Sequence, residues 1–493
     1  MQIFDKDLLS VQEVRDLVER AKVAQEELAQ MSQAQVDMIV KAIADAGVRN
    51  AKRLAVMANE ETGFGIADDK VIKNVFASKY VWDAVKDMKT IGEISRDDAN
   101  KTRDIAVPVG VIAGLIPSTN PTSTAFYKAE ISIKAGNAIV FSPHPNAKNC
   151  ILEAVKVIRQ AVLEAGGNED LVSAITIPTI QATDTLMKHP DVAMILATGG
   201  SAMVRAAYSS GTPAIGVGPG NGPAYIDKSA DVALAVKRIM QSKTFDNGTI
   251  CASEQSIICI DEMAPIVRAE FEKQGGYFLS DDEIAQLGKF ILRANGTMNP
   301  AIVGKSAKVI AELAGFSIPA SAKVLIARET GVGRGHPYSN EKLCPILGFY
   351  TAPTYQEVCE TVCCILHYEG AGHTFSMHTK DYSMVDYFAA RVPASRIIVN
   401  TPSTLGGIGA STALMPALTL GCGAVGGSAT SDNVGPMNLL NIRRVAEGLI
   451  GLEDIKAELP DCSSGICKLN AGNDVDVDID KLVSQIMKRL QNI

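Results

Sequence analysis

The stretch NAIVFSP (137–143), followed by a helical run from Ala147 to Ala165 and then by VSAITI (172–177), decides the fold. A short β-rich segment, a helix and a second β-rich segment make one βαβ unit, and such units imply a parallel sheet. The same alternation extends in both directions. Upstream lies IAVPVGVIAGLIP (105–117); downstream come Thr179 to Lys188, VAMILAT (192–198) and Ser201 to Ser210. The expectation is an α/β, doubly wound, nucleotide-binding domain over residues 1–230. Apolar residues at helical spacing (Val14, Leu17, Val18, Ala21, then Val36, Ile39, Val40) add two amphipathic helices at its start.

A second alternating region opens with the helical stretch Asp231 to Phe245 and runs to about 430, giving a second α/β domain. Two segments fit neither: the charged, extended EISRDDANKTRDIAV (93–107) and the piece at 431–459. Both read as arms that pair with another subunit. There is no internal repeat.

Composition bounds the function. The chain has 493 residues, 47% hydrophobic and 21% charged, which is ordinary for a globular protein. With 47 basic and 55 acidic residues the net charge is −8, and no dense Lys/Arg cluster supplies the footprint of a nucleic-acid binder. The charged N-terminus lacks the apolar core of a signal peptide, so the chain reads as cytoplasmic. The long uncharged run from Ile397 to Ser431 is broken by Gly, Ser, Pro402 and Pro416, which argues against a membrane span. Ten scattered cysteines favour free thiols over a disulfide framework. Cys462 and Cys467 alone do not specify a metal site, and no metal is expected.

One thiol stands apart. In FDNGTICASEQS (245–256), Cys251 follows the turn residues Asp246, Asn247 and Gly248 and lies among small polar neighbours. A structural cysteine prefers Val, Ile and Leu around it. Cys251 is therefore a loop-borne candidate nucleophile. Cys150, Cys259, Cys344, Cys359, Cys363 and Cys364 read as packing residues, and Cys422 has no assigned role.

Eight segments carry chemistry: PSTNPTSTA (117–125), FSPHP (141–145), ATGGSAMVRAAYSSG (197–211), GVGPGN (216–221), KTFDNGTICASEQS (243–256), EKLCP (341–345), YEGAGHT (368–374) and TLGCG (419–423). Together they resemble the aldehyde dehydrogenase superfamily, over about residues 10 to 450. The closer likeness is to its CoA-acylating branch, found in bifunctional aldehyde-alcohol dehydrogenases and in enzymes of bacterial microcompartments. The resemblance implies a Rossmann-type cofactor domain, an α/β catalytic domain and a β oligomerisation arm.

It also implies roles. A Cys251 thiolate would add to an aldehyde carbonyl, and the resulting alkoxide would be held by the Asn120 amide and the Cys251 backbone N–H. Asn120 also reads as a helix cap ahead of Pro121. Hydride would pass to NAD, leaving a thioester. Hydrolytic relatives carry a glutamate base in the loop matching GVGPGNGPAY, and this loop has no carboxylate from Gly216 to Tyr225. The thioester would then await coenzyme A, with His373 acting on the thiol proton; a purely structural His373 stays open. Glu341 would contact the nicotinamide ribose, the alternative being a solvated surface glutamate. Thr198, Gly199 and Gly200 would hold cofactor phosphate near a helix N-terminus, and Gly218 would also bind the cofactor. Ser142 and His144 would meet the adenosine, although a histidine between prolines also shapes turns.

The expected activity is conversion of a small aldehyde such as acetaldehyde or propanal, with NAD and CoA, to acyl-CoA and NADH. Relatives using sulfoacetaldehyde or succinate semialdehyde, a hydrolytic enzyme, and a silent scaffold are the alternatives. The expected assembly is a homo-oligomer, a dimer or tetramer. After Pro460 a polar linker (460–478) leads to an amphipathic segment (479–493) whose apolar face carries Ile479, Leu482, Val483, Ile486, Leu490 and Ile493. It reads as a helix that docks on its own body or on a microcompartment shell protein.

Overall fold

A computed structural model describes residues 5–293 and 296–457. The tail beyond, including the linker, Cys462, Cys467 and the amphipathic segment, lies outside the described residues. The chain divides into two compact units, residues 1–92 with 106–441, and 93–105 with the segment from 442 onward.

The larger unit begins with the two expected helices, Lys6–Leu28 and Gln33–Thr62. Asp5 starts the first by accepting hydrogen bonds from the N–H groups of Asp7 and Leu8 at 2.8 and 3.2 Å. Gly63, at φ 65°, ends the second in the left-handed conformation that needs no Cβ.

Five strands then form a parallel sheet in the order Val172–Ala174, Ala138–Pro143, Val111–Ile116, Val192–Thr198, Ala214–Val217. The chain starts this sheet at its centre and winds outward both ways, as the alternating pattern predicts. Val111–Ile116 and Ala138–Pro143 are buried at every position, so their apolar runs have no polar face. The helices Lys148–Glu164, Ile180–Met187 and Ser201–Tyr208 lie within a few residues of the spans read from sequence.

A second parallel sheet has seven strands, in the order Gly276–Phe278, Val324–Arg328, Ile346–Ala352, Glu254–Ile260, Gly222–Ile226, Gly372–His378, Ala394–Val399. Gly222–Ile226 pairs with Glu254–Ile260 and Gly372–His378, so the change of sheet falls between Val217 and Gly222, not near 230. The physical reason is a short crossing, Gly218–Pro219–Gly220, that carries the chain from the carboxyl end of one sheet to the amino end of the other.

The smaller unit accounts for the two orphan segments. Gly92–Asp97, Thr102–Pro108 and Leu440–Ala446 form a three-stranded sheet, with Arg444 holding Asp104 through two bonds of 2.7 and 3.0 Å. The segments expected to pair with another subunit thus pair with each other.

Candidate active site

The carboxyl ends of the five-stranded sheet open into a cavity of about 680 Å³. Crevices at the ends of strands where a doubly wound sheet reverses direction are where such folds bind ligands. Ser142 and His144 lie at the carboxyl end of one strand, Thr198, Gly199 and Gly200 at that of another, Gly218 follows a third, and Asn120 comes after the central one; all line the cavity with Cys251 and Glu341. Nine of the ten residues expected from sequence therefore share one cavity. His373 does not line it.

Cys251 sits on the turn ahead of the central strand Glu254–Ile260, at the amino end of the second sheet. Three consecutive left-handed residues make that turn: Asp246 at φ 47°, Asn247 at φ 51° and Gly248 at φ 72°. Asn and Asp tolerate this conformation better than other side chains, which is why the turn was readable. The crossing residue Gly220 packs against the thiol's own backbone, since a Cβ added there would lie 2.2 Å from the Cys251 carbonyl oxygen.

Burial raises the Cys251 thiol to about 12, with the charges of Glu341 and Cys422 adding to the rise and Arg396 opposing it. Arg396, only 4% exposed, escaped the sequence reading. Its guanidinium donates to the carbonyls of His373 (2.8 Å) and Ser431 (3.1 Å), and no ion pair to it occurs among the described residues. A lone arginine in IVN-flanked strand sequence looks like a surface residue; only the fold brings it near the thiol.

Asn120 occupies the N-cap position of the helix Pro121–Lys134, yet its side chain caps nothing. Instead its Oδ1 accepts from Lys73 Nζ at 2.6 Å, and its Nδ2 has long contacts to Thr119 Oγ1 (3.2 Å) and the Thr249 carbonyl (3.4 Å). Lys73 also bonds Asp246, and donates to Thr249 Oγ1 at 2.8 Å; Lys70 reaches the same Asp246 oxygen at 3.0 Å. Burial alone would raise Asp246, but the two ammoniums hold its carboxyl below the usual range. Lys70 and Lys73 were missed from sequence, because lysines three apart on a helix read as a solvated face, and Asp246 was read only as a turn residue.

Glu341 is 8% exposed, which excludes a solvated surface residue. Its Oε1 accepts from the Gly220 N–H at 2.8 Å, and burial, with Glu369 adding to it, raises the carboxyl to about 8. Ser142 pairs with Thr183 (2.8 Å) and Thr198 with Thr419 (3.1 Å). His144 does shape a turn, its Nδ1 accepting from the Asn146 N–H at 3.2 Å, while still facing the cavity. At Gly200 and Gly218 an added Cβ would meet nothing within 4 Å, so these glycines leave open space rather than relieve strain. That open backbone at the start of the helix Ser201–Tyr208 fits a dinucleotide phosphate.

His373 is fully buried. Its Nδ1 is 2.9 Å from Thr374 Oγ1, its Nε2 has no partner, and burial with nearby Arg396 holds the imidazole well below its ordinary value. A Cβ on Gly220 would lie 2.9 Å from the His373 ring, so this histidine packs against the same glycine that meets the Cys251 backbone.

The aldehyde dehydrogenase family profile matches residues 3–278, more than half of the chain. The chain belongs to the aldehyde dehydrogenase family. Among curated aldehyde dehydrogenases, it is 47% identical over 443 residues to the bifunctional aldehyde-alcohol dehydrogenase of Escherichia coli (strain K12), covering 89% of this chain and 50% of that one. The chain thus spans half the length of that relative. An acetylating aldehyde dehydrogenase from Geobacillus thermoglucosidasius superposes with a TM-score of 0.89 at 50% identity, covering 91% of this chain and 99% of that one. A propionaldehyde dehydrogenase from Rhodopseudomonas palustris, solved with bound CoA and an acylated cysteine, matches at 29% identity and a TM-score of 0.79, covering 88% and 97%. As a member of this family, the chain has an α/β fold with two parallel sheets and a three-stranded sheet.

The other cysteines divide. Cys150, Cys259, Cys344 and Cys359 are buried, as expected for packing residues, and Cys363 is half-buried. Cys364 is exposed instead, because the helix Tyr355–Tyr368 turns Val358, Val362, Ile365 and Leu366 inward and leaves 364 on its outer face. Cys422 is buried near Cys251 and Arg396.

Proposed function

We propose that this protein is a CoA-acylating aldehyde dehydrogenase that converts a small uncharged aldehyde, NAD and CoA reversibly to acyl-CoA and NADH. The observation that carries this reading is the wall beside Cys251. It is built from Gly218, Pro219 and Gly220, which offer no carboxylate to activate water. The carboxylates lining the cavity are Asp184, paired with Lys188 at 2.8 Å, and Glu341, committed to the Gly220 N–H.

Cys251 gives its thiol proton to solvent, its sulfur then adds to the carbonyl carbon, and the carbonyl oxygen becomes an alkoxide. Asn120 Nδ2 and the Cys251 backbone N–H are donors for it, in a site closed enough that each counts for more than in water. Ser142, His144, Thr198, Gly199, Gly200 and Gly218 would hold NAD, which would supply the hydride acceptor. Glu341 accepts from the Gly220 N–H and so fixes the crossing beside Cys251, and in this reading it would contact the nicotinamide ribose. The remaining thioester is attacked by the CoA sulfur, which forms the acyl-CoA bond as the Cys251 bond breaks. His373, a neutral imidazole with Nε2 unpaired, takes the CoA thiol proton in this reading.

Sulfoacetaldehyde and succinate semialdehyde are disfavoured, since no lysine or arginine is among the described residues lining the cavity. The exposed edge strand Leu440–Ala446 supports a homo-oligomer joined through the small sheet. The segment 479–493 supports recruitment to a shell protein.

The test is NADH formation from purified protein with propanal and NAD, with and without CoA. Turnover beyond the first equivalent should require CoA and vanish in Cys251→Ala, and His373→Asn should retain the first-turnover burst while slowing the CoA step. Sustained NADH without CoA would make the enzyme hydrolytic.

A further inference from the structure

A side-chain amide can point either way, and only one way helps an oxyanion. Asn120 presents two N–H donors at one end and an oxygen with two lone pairs at the other. With its oxygen toward the alkoxide, a lone pair would face a negative charge. Something in the structure must choose between the two orientations, and the helix that follows does not, since the Asn120 side chain makes no cap bond.

Lys73 is the group that can choose. Its ammonium has three N–H donors and no acceptor, so the atom 2.6 Å away must be the oxygen, and the NH₂ end, held only by long contacts to Thr119 Oγ1 (3.2 Å) and the Thr249 carbonyl (3.4 Å), is turned to the side where Thr119 and Thr249 line the cavity. All three donors are used: Asn120, Asp246 and Thr249 Oγ1. The ammonium cannot swing away, because it is 2% exposed and pinned on Asp246, which is itself fully buried. Asp246 is fixed in turn by accepting from the Ile66 N–H at 2.6 Å and from Thr249 Oγ1 at 2.6 Å. The aspartate lies five residues before the thiol, so the same carboxylate that shapes the nucleophile's turn also aims the oxyanion donor.

We infer that Lys73, seated on Asp246, is a positioning residue that sets the orientation of the Asn120 amide and so switches on its oxyanion-stabilising donor. The inference rests on Asn120 serving the oxyanion, as proposed above. Lys73 touches neither substrate nor cofactor in this scheme and acts through Asn120 alone.

A double-mutant cycle separates this from a structural role. The rate of the first-turnover NADH burst is measured at saturating acetaldehyde and NAD for the full chain, Lys73→Met, Asn120→Ala and the double variant, each with its thermal unfolding midpoint. Losing one oxyanion donor lowers kcat by about 10²–10³-fold, so Asn120→Ala should fall in that range. Lys73→Met should lose about tenfold or more with little change in KM, the mark of an interaction made in the transition state. The double variant should be no slower than Asn120→Ala.

Met leaves Asp246 short of a donor and can impair folding, so Lys73→Gln and Lys73→Arg complete the set. Gln can donate or accept and therefore does not fix the amide; Arg is donor-only and does. The burst rate should recover with Arg and not with Gln. Equal losses from Lys73→Met or Lys73→Gln with and without Asn120 would overturn the inference, and so would Gln matching Arg. Full activity in Asn120→Ala would remove the oxyanion assignment itself, and this inference with it.

Discussion

The Cys251 thiol carries the chemistry, and its surroundings hold it protonated at rest. Burial outweighs the help from Arg396, so the group sits near 12 and the thiolate fraction at neutral pH is small. Because the shift is upward, the reactive form grows as pH rises and no plateau is reached in the ordinary range. Alkylation of Cys251 by iodoacetamide in the cofactor-free protein, followed by mass spectrometry, should quicken by about tenfold per pH unit from 7 to 9. A plateau below pH 8 would mean that a nearby group takes the proton. The design suits a nucleophile that must not react before its partners arrive.

At the scale of elements, the crossing Gly218–Pro219–Gly220 matters more than any helix. It joins Ala214–Val217 in one sheet to Gly222–Ile226 in the other, and its Gly220 N–H is held by Glu341. Gly220→Ala forces a methyl group to 2.2 Å from the Cys251 carbonyl, where backbone must yield. An overpacked site of this kind costs about 1–3 kcal/mol. A lower unfolding midpoint together with slower Cys251 acylation is the expected outcome; loss of stability with unchanged acylation would mean the wall does not set the thiol. The elements themselves were legible, since apolar runs and helical spacing predicted the strands Ala138–Pro143 and Val192–Thr198 nearly residue for residue. The crossing was not, because three small residues carry no periodicity and the move to a second sheet is made by pairing partners far along the chain.

For the molecule as a whole, the sequence announced two α/β halves and two leftover segments, but not that the leftovers belong together. Residues near 95 and 443 show no local sign of their partnership. The small sheet ends in Leu440–Ala446, whose exposed edge carries Ile442 and Val445 at 38% exposure each. Unpaired edge N–H and C=O groups invite a strand from another copy. The Glu447 N–H bonds the Lys101 carbonyl of the neighbouring strand, so by alternation the Ile442 N–H faces the free edge; if copies join there, Ile442→Pro should give a smaller particle by light scattering than the unsubstituted protein, and an unchanged mass would place any subunit contact elsewhere. The site residues were readable as types in motifs. The lysine-aspartate seat was invisible, since its members lie 173 and 176 residues apart. That separation also orders events during synthesis. Lys70 and Lys73 leave the ribosome long before Asp246, and two ammoniums cannot be buried side by side without it. The helix Ala67–Val75 gains the counter-charge for its two buried lysines only when the turn before the thiol is made. The carboxylate that seats Lys73 and the thiol five residues after it therefore reach a growing chain together.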